Sequence, residues 1–486
     1  MSAIVLIAYA PIIAIIFYAV LGFLFGGYAE KKTFCMVVAT HQVMGIGRSV
    51  IYEMILVSIA VASLGTGVLV AIGAVPAIDA YAFLPGAGWF TLLGSFIFGF
   101  GMMLGQGCMV GMLWKSGSGY VVNWVELLGL AMGSIIFAFP LFNWLDLSYW
   151  WKASRVGNIP NSSPTNYIPT LFSGIPVTAG ALMVGVLFFI AVIGVALILR
   201  KRRIKANPPK EQGWKSIISS PYFSGFLFSI AMMASFVFSA GHMFNYLGVT
   251  TPVALFSQYL LSPAGIYLGS SSVSANWYQT ITVMSAFSFF ILMIIAGSSI
   301  FSMARGTFKI RLPSGSASKA GDLAIGFTGG VIIAIGARIA QGCSVGGFWS
   351  GLAGLSLFGL VFSVGIILGS VAGYYSYIFL SSIFSSENTA KSVSGKEKST
   401  WNRAFSQYAF SIIFGLILIS VGIVSRLANS HYIQKIPATL MSQEEETMIT
   451  IGVIVMVLGI IITTAQHFRL LNKSRLTMTA FREHKN

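Results

Sequence analysis

The sequence predicts an all-α polytopic membrane protein carrying an internal repeat. Three observations lead there. Only 9% of the 486 residues are charged while 56% are hydrophobic, and the mean hydropathy is +0.84; a soluble domain of that length needs more polar surface to meet water. Apolar runs long enough to cross a hydrocarbon core of ~30 Å recur along the whole chain. And the stretch GMMLGQGCMVGMLW (101–114) is nearly restated as GARIAQGCSVGGFW (336–349).

The hydropathy pattern predicts about eleven spans, at 3–27, 49–74, 88–113, 121–145, 178–200, 221–241, 276–302, 321–346, 355–380, 405–428 and 447–468. The first has no basic stretch ahead of it and exceeds a signal-peptide core, so it reads as a retained span. The formal net charge of +16 is not spread as a nucleic-acid footprint. It sits in short loops and the tail: Lys31, Lys32 and Arg48; RKRRIK (200–205); Arg305, Lys309, Arg311 and Lys319; and Arg469, Lys473, Arg475 and Arg482. Basic loops stay on the cytoplasmic side, facing anionic lipid. With eleven spans and a cytoplasmic C-terminus, the loops 28–48, 201–220, 303–320 and 381–403 all fall inside, and each carries Lys or Arg. Loops 75–87 and 242–275 fall outside and carry neither. The N-terminus is therefore expected outside. The expected organisation is a first transport half over 1–200, a second over 201–384, a polar linker over 385–403, and an extra helix pair with a basic tail over 404–486. The segment 146–177 reads as an outer loop, and 243–275 as a broken, re-entrant piece.

Aligning Cys108 with Cys343 matches Gly101 with Gly336, Gln106 with Gln341, Gly107 with Gly342, Val110 with Val345, Gly111 with Gly346 and Trp114 with Trp349. Cys, Trp and Gln are scarce here, so shared apolarity does not account for the match. The copies fall in the third and eighth spans, an odd separation that runs them in opposite directions, as in an inverted-repeat transporter with broken helices and a midplane site. Glycines at such a break let backbone N–H groups face a ligand, and a helix N-terminus favours an anion. A thiol adds a weak S–H donor and a soft sulfur. That combination suits a small oxyanion with a terminal sulfur. The competing reading is close helix packing, because Gly101, Gly105 and Cys108 form a small-residue face repeated by Gly336, Ala340 and Cys343; packing does not require the same Gln and Cys twice.

The chain's third cysteine, Cys35, lies just past the first span. Arg338 stands where the other copy has Met103. A span arginine is costly, and this one either steers an anion or pairs with Glu53 or Glu126, carboxyls that are also candidates for carrying protons. Histidines are too sparse for a haem site, the cysteines lack metal-ligand spacing, and no cofactor is expected.

The two QGCxVG elements, the Phe-Cys after the first span, and GFWSGLAGLSLFGLVFSVGIILGS (347–370) resemble the YeeE/YedE family of membrane proteins, over about residues 15–375. The resemblance implies an inner-membrane thiosulfate importer of a prokaryote. It implies inverted pseudo-symmetry, and Cys35, Cys108 and Cys343 passing the ion through S–H···S contacts, with a TusA-like cytoplasmic sulfur-carrier protein as partner. Around that relay, Gln106, Gln341, Gly107, Gly342, Gly111, Gly346 and Arg338 are the expected binding residues. The alternatives are a transporter of another small sulfur or selenium anion, and a membrane sulfurtransferase that forms a persulfide.

Overall fold

A computed structural model describes residues 3–76, 84–136, 164–172, 174–206, 220–239, 286–313 and 319–383, with scattered positions at 249, 253 and between 450 and 462. The expected re-entrant piece at 243–275, the linker, and most of the C-terminal helix pair lie outside the described residues. Among the described residues the chain is helical, with two isolated bridges and no strand.

Over residues 3–136 the described α-helices are α1 (Ala3–Lys32), α2 (Met36–Ile46), α3 (Val50–Ala71), α4 (Trp89–Gly105), α5 (Met109–Gly117) and α6 (Val121–Ile136). Over residues 177–383 they are α7 (Val177–Ala206), α8 (Pro221–Ser239), α9 (Ala286–Ala304), α10 (Lys319–Ala340), a π-helical turn Ser344–Trp349 running on into α11 (Ser350–Ala353), and α12 (Leu357–Ile383). Seven helical segments among the described residues are long and apolar enough to cross a membrane: Ile13–Ile46, Val50–Ala71, Trp89–Gly117, Val177–Ile204, Pro221–Phe238, Ala320–Ala340 and Leu357–Phe379. Val121–Ser134 and Ser288–Ala304 are apolar but shorter. The protein is thus a multi-pass helical membrane protein.

Small residues let these helices approach closely. A Cβ on Gly329 would lie 2.5 Å from the Cα of Gly105, one on Gly101 2.8 Å from the backbone N of Ile333, and one on Gly336 2.8 Å from the Cα of Phe98. In lipid, where apolar surface gives helices no preference for one another over the acyl chains, such contact drives association. The glycines 101, 105 and 336 therefore serve packing between α4 and α10. Outside this seam, α7 turns Leu187, Ile190, Val195 and Ile198 outward as an apolar rim.

The packing has a reciprocal pattern. Helix α4 lies on α12 while α10 lies on α6; α1 lies on α9 while α8 lies on α3; α5 touches α9 while α11 touches α3; and α4 lies directly on α10. Polar contacts fix the ends. Glu53, fully buried at the start of α3, takes a two-pronged ion pair from Arg203 (Nε–Oε1 2.8 Å, Nη2–Oε2 2.9 Å) and hydrogen bonds from Ser49 (2.8 Å) and Tyr222 (3.0 Å). Glu53 is thus engaged by Arg203, on α7. Glu30 pairs with Arg305, and Arg311 donates to the Ser118 carbonyl at 2.9 Å with its guanidinium 4.4 Å from the Tyr120 ring. The end of the expected outer loop is buried: Asn166 is fully covered, bonds the Pro85 carbonyl, and accepts from the Phe358 N–H at 3.0 Å.

Candidate functional site

Three helix breaks of one design build the site. Helix α1 ends at Thr33 (φ 57°), α4 at Gln106 (φ 65°) and α10 at Gln341 (φ 56°), each left-handed, and two residues later a cysteine in extended backbone heads the next helical segment. A left-handed non-glycine residue costs roughly 1–2 kcal/mol. Gln106 has a compensating use, since its Nε2 donates to the Tyr377 hydroxyl at 3.0 Å.

Cys35 and Cys108 meet. Their sulfurs are 3.5 Å apart, and both are free thiols. The Cys108 sulfur also accepts from the N–H groups of Met36 and Gly111, each at 3.3 Å, so the first turns of α2 and α5 converge on one atom. The Cys343 sulfur repeats half of this arrangement, accepting from Gly346 N–H at 3.3 Å. All three cysteines are buried in one continuous core. The Gly111 and Gly346 amides, expected to face a ligand, each donate here to the sulfur of the cysteine three residues earlier, in helix-capping fashion. The Gly107 and Gly342 positions answer to packing. A Cβ on Gly107 would lie 2.8 Å from Asn123 Nδ2, and one on Gly342 2.8 Å from the Phe358 ring. At Gly111 a side chain would run into the Cys35 sulfur, so that glycine makes the thiol pair possible.

The two matched tryptophans both address Phe34, the neighbour of Cys35. Trp114 donates its Nε1–H to the Phe34 carbonyl at 3.1 Å. Trp349 sets its ring 5.4 Å from the Phe34 ring and donates to Ser58 Oγ at 2.8 Å. A cavity of about 20 Å³ lies between the two repeated motifs, lined by Cys108 and Val110 on one side, Ser344, Val345 and Trp349 on the other, and Phe34. That volume holds about one water molecule. Arg338 is buried in the last turn of α10, and Gln341 follows it at the break.

The sequence profile of the sulphur transport family matches residues 31–372, a span that takes in all three cysteines and every break just described. The chain belongs to that family. Among its relatives, the thiosulfate transporter TsuA of Escherichia coli K12 is 26% identical over 333 residues, covering 67% of this chain and 84% of the relative. The thiosulfate transporter TsuA of Spirochaeta thermophila is 24% identical over 357 residues, 72% of this chain and 94% of the relative. The probable transporter YedE of E. coli K12 is 30% identical over 115 residues, 24% of this chain and 27% of the relative. The family and these relatives are named for transport, not for enzymatic activity.

The sequence reading does not single out Lys115 or His41, and it gives Glu126 only as a candidate partner of Arg338 or carrier of protons. Lys115 donates to the Gln106 carbonyl at 2.5 Å, Glu126 accepts from Asn123 at 2.6 Å, and His41 packs against the Tyr374 and Tyr377 rings at 5.2 and 6.1 Å. A lysine seven residues after a cysteine on a helix reaches back toward it, because helical side chains lean to the N-terminus. That was the available clue.

Proposed function

We propose that this protein imports thiosulfate across the cytoplasmic membrane of a prokaryote, along a path marked by the thiols of Cys343, Cys108 and Cys35. The observation that carries the reading is the Cys35–Cys108 pair, two free thiols 3.5 Å apart where the first turns of α2 and α5 meet. Converging helix N-termini favour an anion. With its sulfur accepting two N–H groups, Cys108 donates its own S–H to the Cys35 sulfur, which leaves the Cys35 S–H as the donor for the soft terminal sulfur of the cargo. Neutral thiols matter: a thiolate 4 Å from one charge of the dianion would repel it by about 4 kcal/mol at an effective dielectric near 20. Weak donors also release, as passage through successive sites requires.

The reciprocal packing supports an inverted repeat, in which α4, its break, α5 and α6 correspond to α10, its break, the π-turn with α11, and α12. The loop contacts support the expected orientation. Glu30 with Arg305, Ser49 with Arg203 through Glu53, and Ser118 with Arg311 join segments assigned inside; Pro85, Asn166, Leu355 and Phe358 join segments assigned outside. On this reading a TusA-like carrier receives the sulfur at the cytoplasmic face, as the family resemblance implies.

Thiosulfate labelled separately at its two sulfurs tests the proposal in cells expressing the chain. Both labels should enter together. Replacing all three cysteines by Ala should abolish uptake with the folded protein retained, and single Cys→Ser variants should keep part of it. Sulfite released outside with only the outer sulfur retained would replace import with sulfurtransferase chemistry, and normal uptake by the triple-Ala variant would remove the relay.

A further inference from the structure

The cysteines address the soft end of the proposed cargo and leave its oxygens without a partner, since the Met36, Gly111 and Gly346 amides are spent on sulfur. Around the same break stands a second, polar set of side chains. Lys115 folds back along α5 so that Nζ donates to the Gln106 carbonyl at 2.5 Å. The Gln106 side chain donates to the Tyr377 hydroxyl at 3.0 Å, and His41, on α2, sets its ring against Tyr374 and Tyr377. Gln106 stands two residues before Cys108, so the ammonium bound to its carbonyl lies at the same helix break as the thiol pair.

This ammonium is half-buried in an apolar segment without an ion pair among the described residues. Glu126 does not pair with it: its Oε2 is held by Asn123 at 2.6 Å, and its buried Oε1 has no hydrogen-bond partner among the described residues. A charge placed at such cost in a span is a functional group by default. An ammonium has three N–H donors, one of which the Gln106 carbonyl takes.

We infer that Lys115 is an oxyanion station: its free N–H donors hold the sulfonate oxygens while the terminal sulfur rests on the Cys35–Cys108 pair, with Tyr377 and His41 completing the polar wall. The inference rests on the thiosulfate reading above and deepens it. Lys115 lies in the last turn of α5, next to the Ser118–Val121 turn that Arg311 grips. That turn falls on the side the basic loops assign to the cytoplasm, so the cation draws the dianion off the cysteines toward release. A lysine suits this role, being a point charge on a flexible stem; the arginine fork grips oxyanions more rigidly.

The test is ligand-induced thermal stabilisation of the purified full chain, titrated with thiosulfate and with sulfate, which has the oxygens but no soft sulfur. Lys115→Met should weaken thiosulfate binding roughly 10- to 100-fold, the usual worth of a hydrogen bond to a charged group, and should abolish the weaker sulfate response. Lys115→Arg should restore both. Cys108→Ala should weaken thiosulfate and leave sulfate unchanged. Unchanged affinity for both anions in Lys115→Met would overturn the station. So would equal loss of affinity and of ligand-free melting temperature in the Met and Arg variants, because that pattern belongs to a helix cap. Since binding is measured apart from uptake, split labels in the transport experiment would remove import and leave this result standing.

Discussion

Gly111→Ala puts the thiol pair under direct strain. A methyl at Gly111 would stand 3.2 Å from the Cys108 sulfur and 3.1 Å from the Cys35 Cβ, and would overlap the Cys35 sulfur. Ordinary heavy-atom contacts lie at about 3.5–4.0 Å, so Cys35 must retreat by roughly 1 Å or more. Two effects on stability oppose each other. Alanine in the body of α5 gains about 1 kcal/mol of helix propensity over glycine, and overpacking a dense core costs about 1–3 kcal/mol. The net is a fold weakened by no more than about 2 kcal/mol, so the protein should still be made. The functional loss is larger in proportion. Pushing Cys35 away breaks its contact with Cys108 at 3.5 Å and disturbs the Met36 N–H bond to the same sulfur. At about 1 kcal/mol each, thiosulfate uptake should fall roughly 10- to 30-fold. Initial uptake rates, normalised to folded protein, measure this, with Gly194→Ala as the control because nothing lies within 4 Å of that position. If Gly111→Ala transports like wild type at wild-type melting temperature, the pair is not part of the path.

Two further variants test the frame that holds the site. Glu53→Gln removes one arm of the two-pronged bond to Arg203; with Arg203 24% exposed and able to regain water, the loss should be about 2–3 kcal/mol, under the 3–5 expected for a fully buried pair. Thermal melts of Glu53→Gln, Arg203→Gln and the double variant should be markedly non-additive, and simple additivity would deny the coupling. Asn166→Ala strips the N–H of Phe358 of its acceptor at the start of α12; the expected cost is about 1 kcal/mol, with uptake per folded molecule unchanged, and unaltered melting would show that the cap contributes nothing.

The helices were legible because each signal is local. Mean hydropathy sums over a window, and the expected edges at 49–74, 178–200 and 355–380 lie within a few residues of Val50–Ala71, Val177–Ala206 and Leu357–Ile383, apart from the last turn of α7, which carries the basic run 200–205. The duplicated motif was legible because Gln, Cys and Trp are scarce in an apolar chain. What the glycines do was not, because it depends on what faces them. Gly101 meets Ile333, Gly107 meets Asn123, and Gly111 meets Cys35, on helices the sequence does not align. The partner of Glu53 was missed for the same reason: Arg203 is 150 positions away and reaches it only because α7 packs on α3. Lys115 escaped because one lysine at a span end reads as a positive-inside residue until its side chain is seen turning back to Gln106.

One comparison inside the molecule argues that the cysteines are kept for more than structure. The chain breaks a fourth time at Leu355, left-handed with φ 54°, and the next residue, Ser356, caps α12 by accepting from Gly359 N–H at 3.0 Å. A left-handed residue precedes the cap here as at Gln106 and Gln341, though without the intervening glycine, and the cap joins residue i to the N–H of residue i+3, as Cys108 does with Gly111 and Cys343 with Gly346, both at 3.3 Å. Serine is the better cap: its oxygen is a stronger acceptor than a thiol sulfur, and caps of this kind contribute about 1 kcal/mol. Where only a helix start has to be held, beside the buried Asn166 and Tyr167, the chain uses serine. At the breaks that line the cavity between the repeats it uses the weaker cap twice, with the same glutamine and glycine before it. Stability alone would choose serine at all three. A polarizable sulfur with a donatable proton is what those two positions gain in exchange, and a cargo with a soft end is the kind of ligand that can use it.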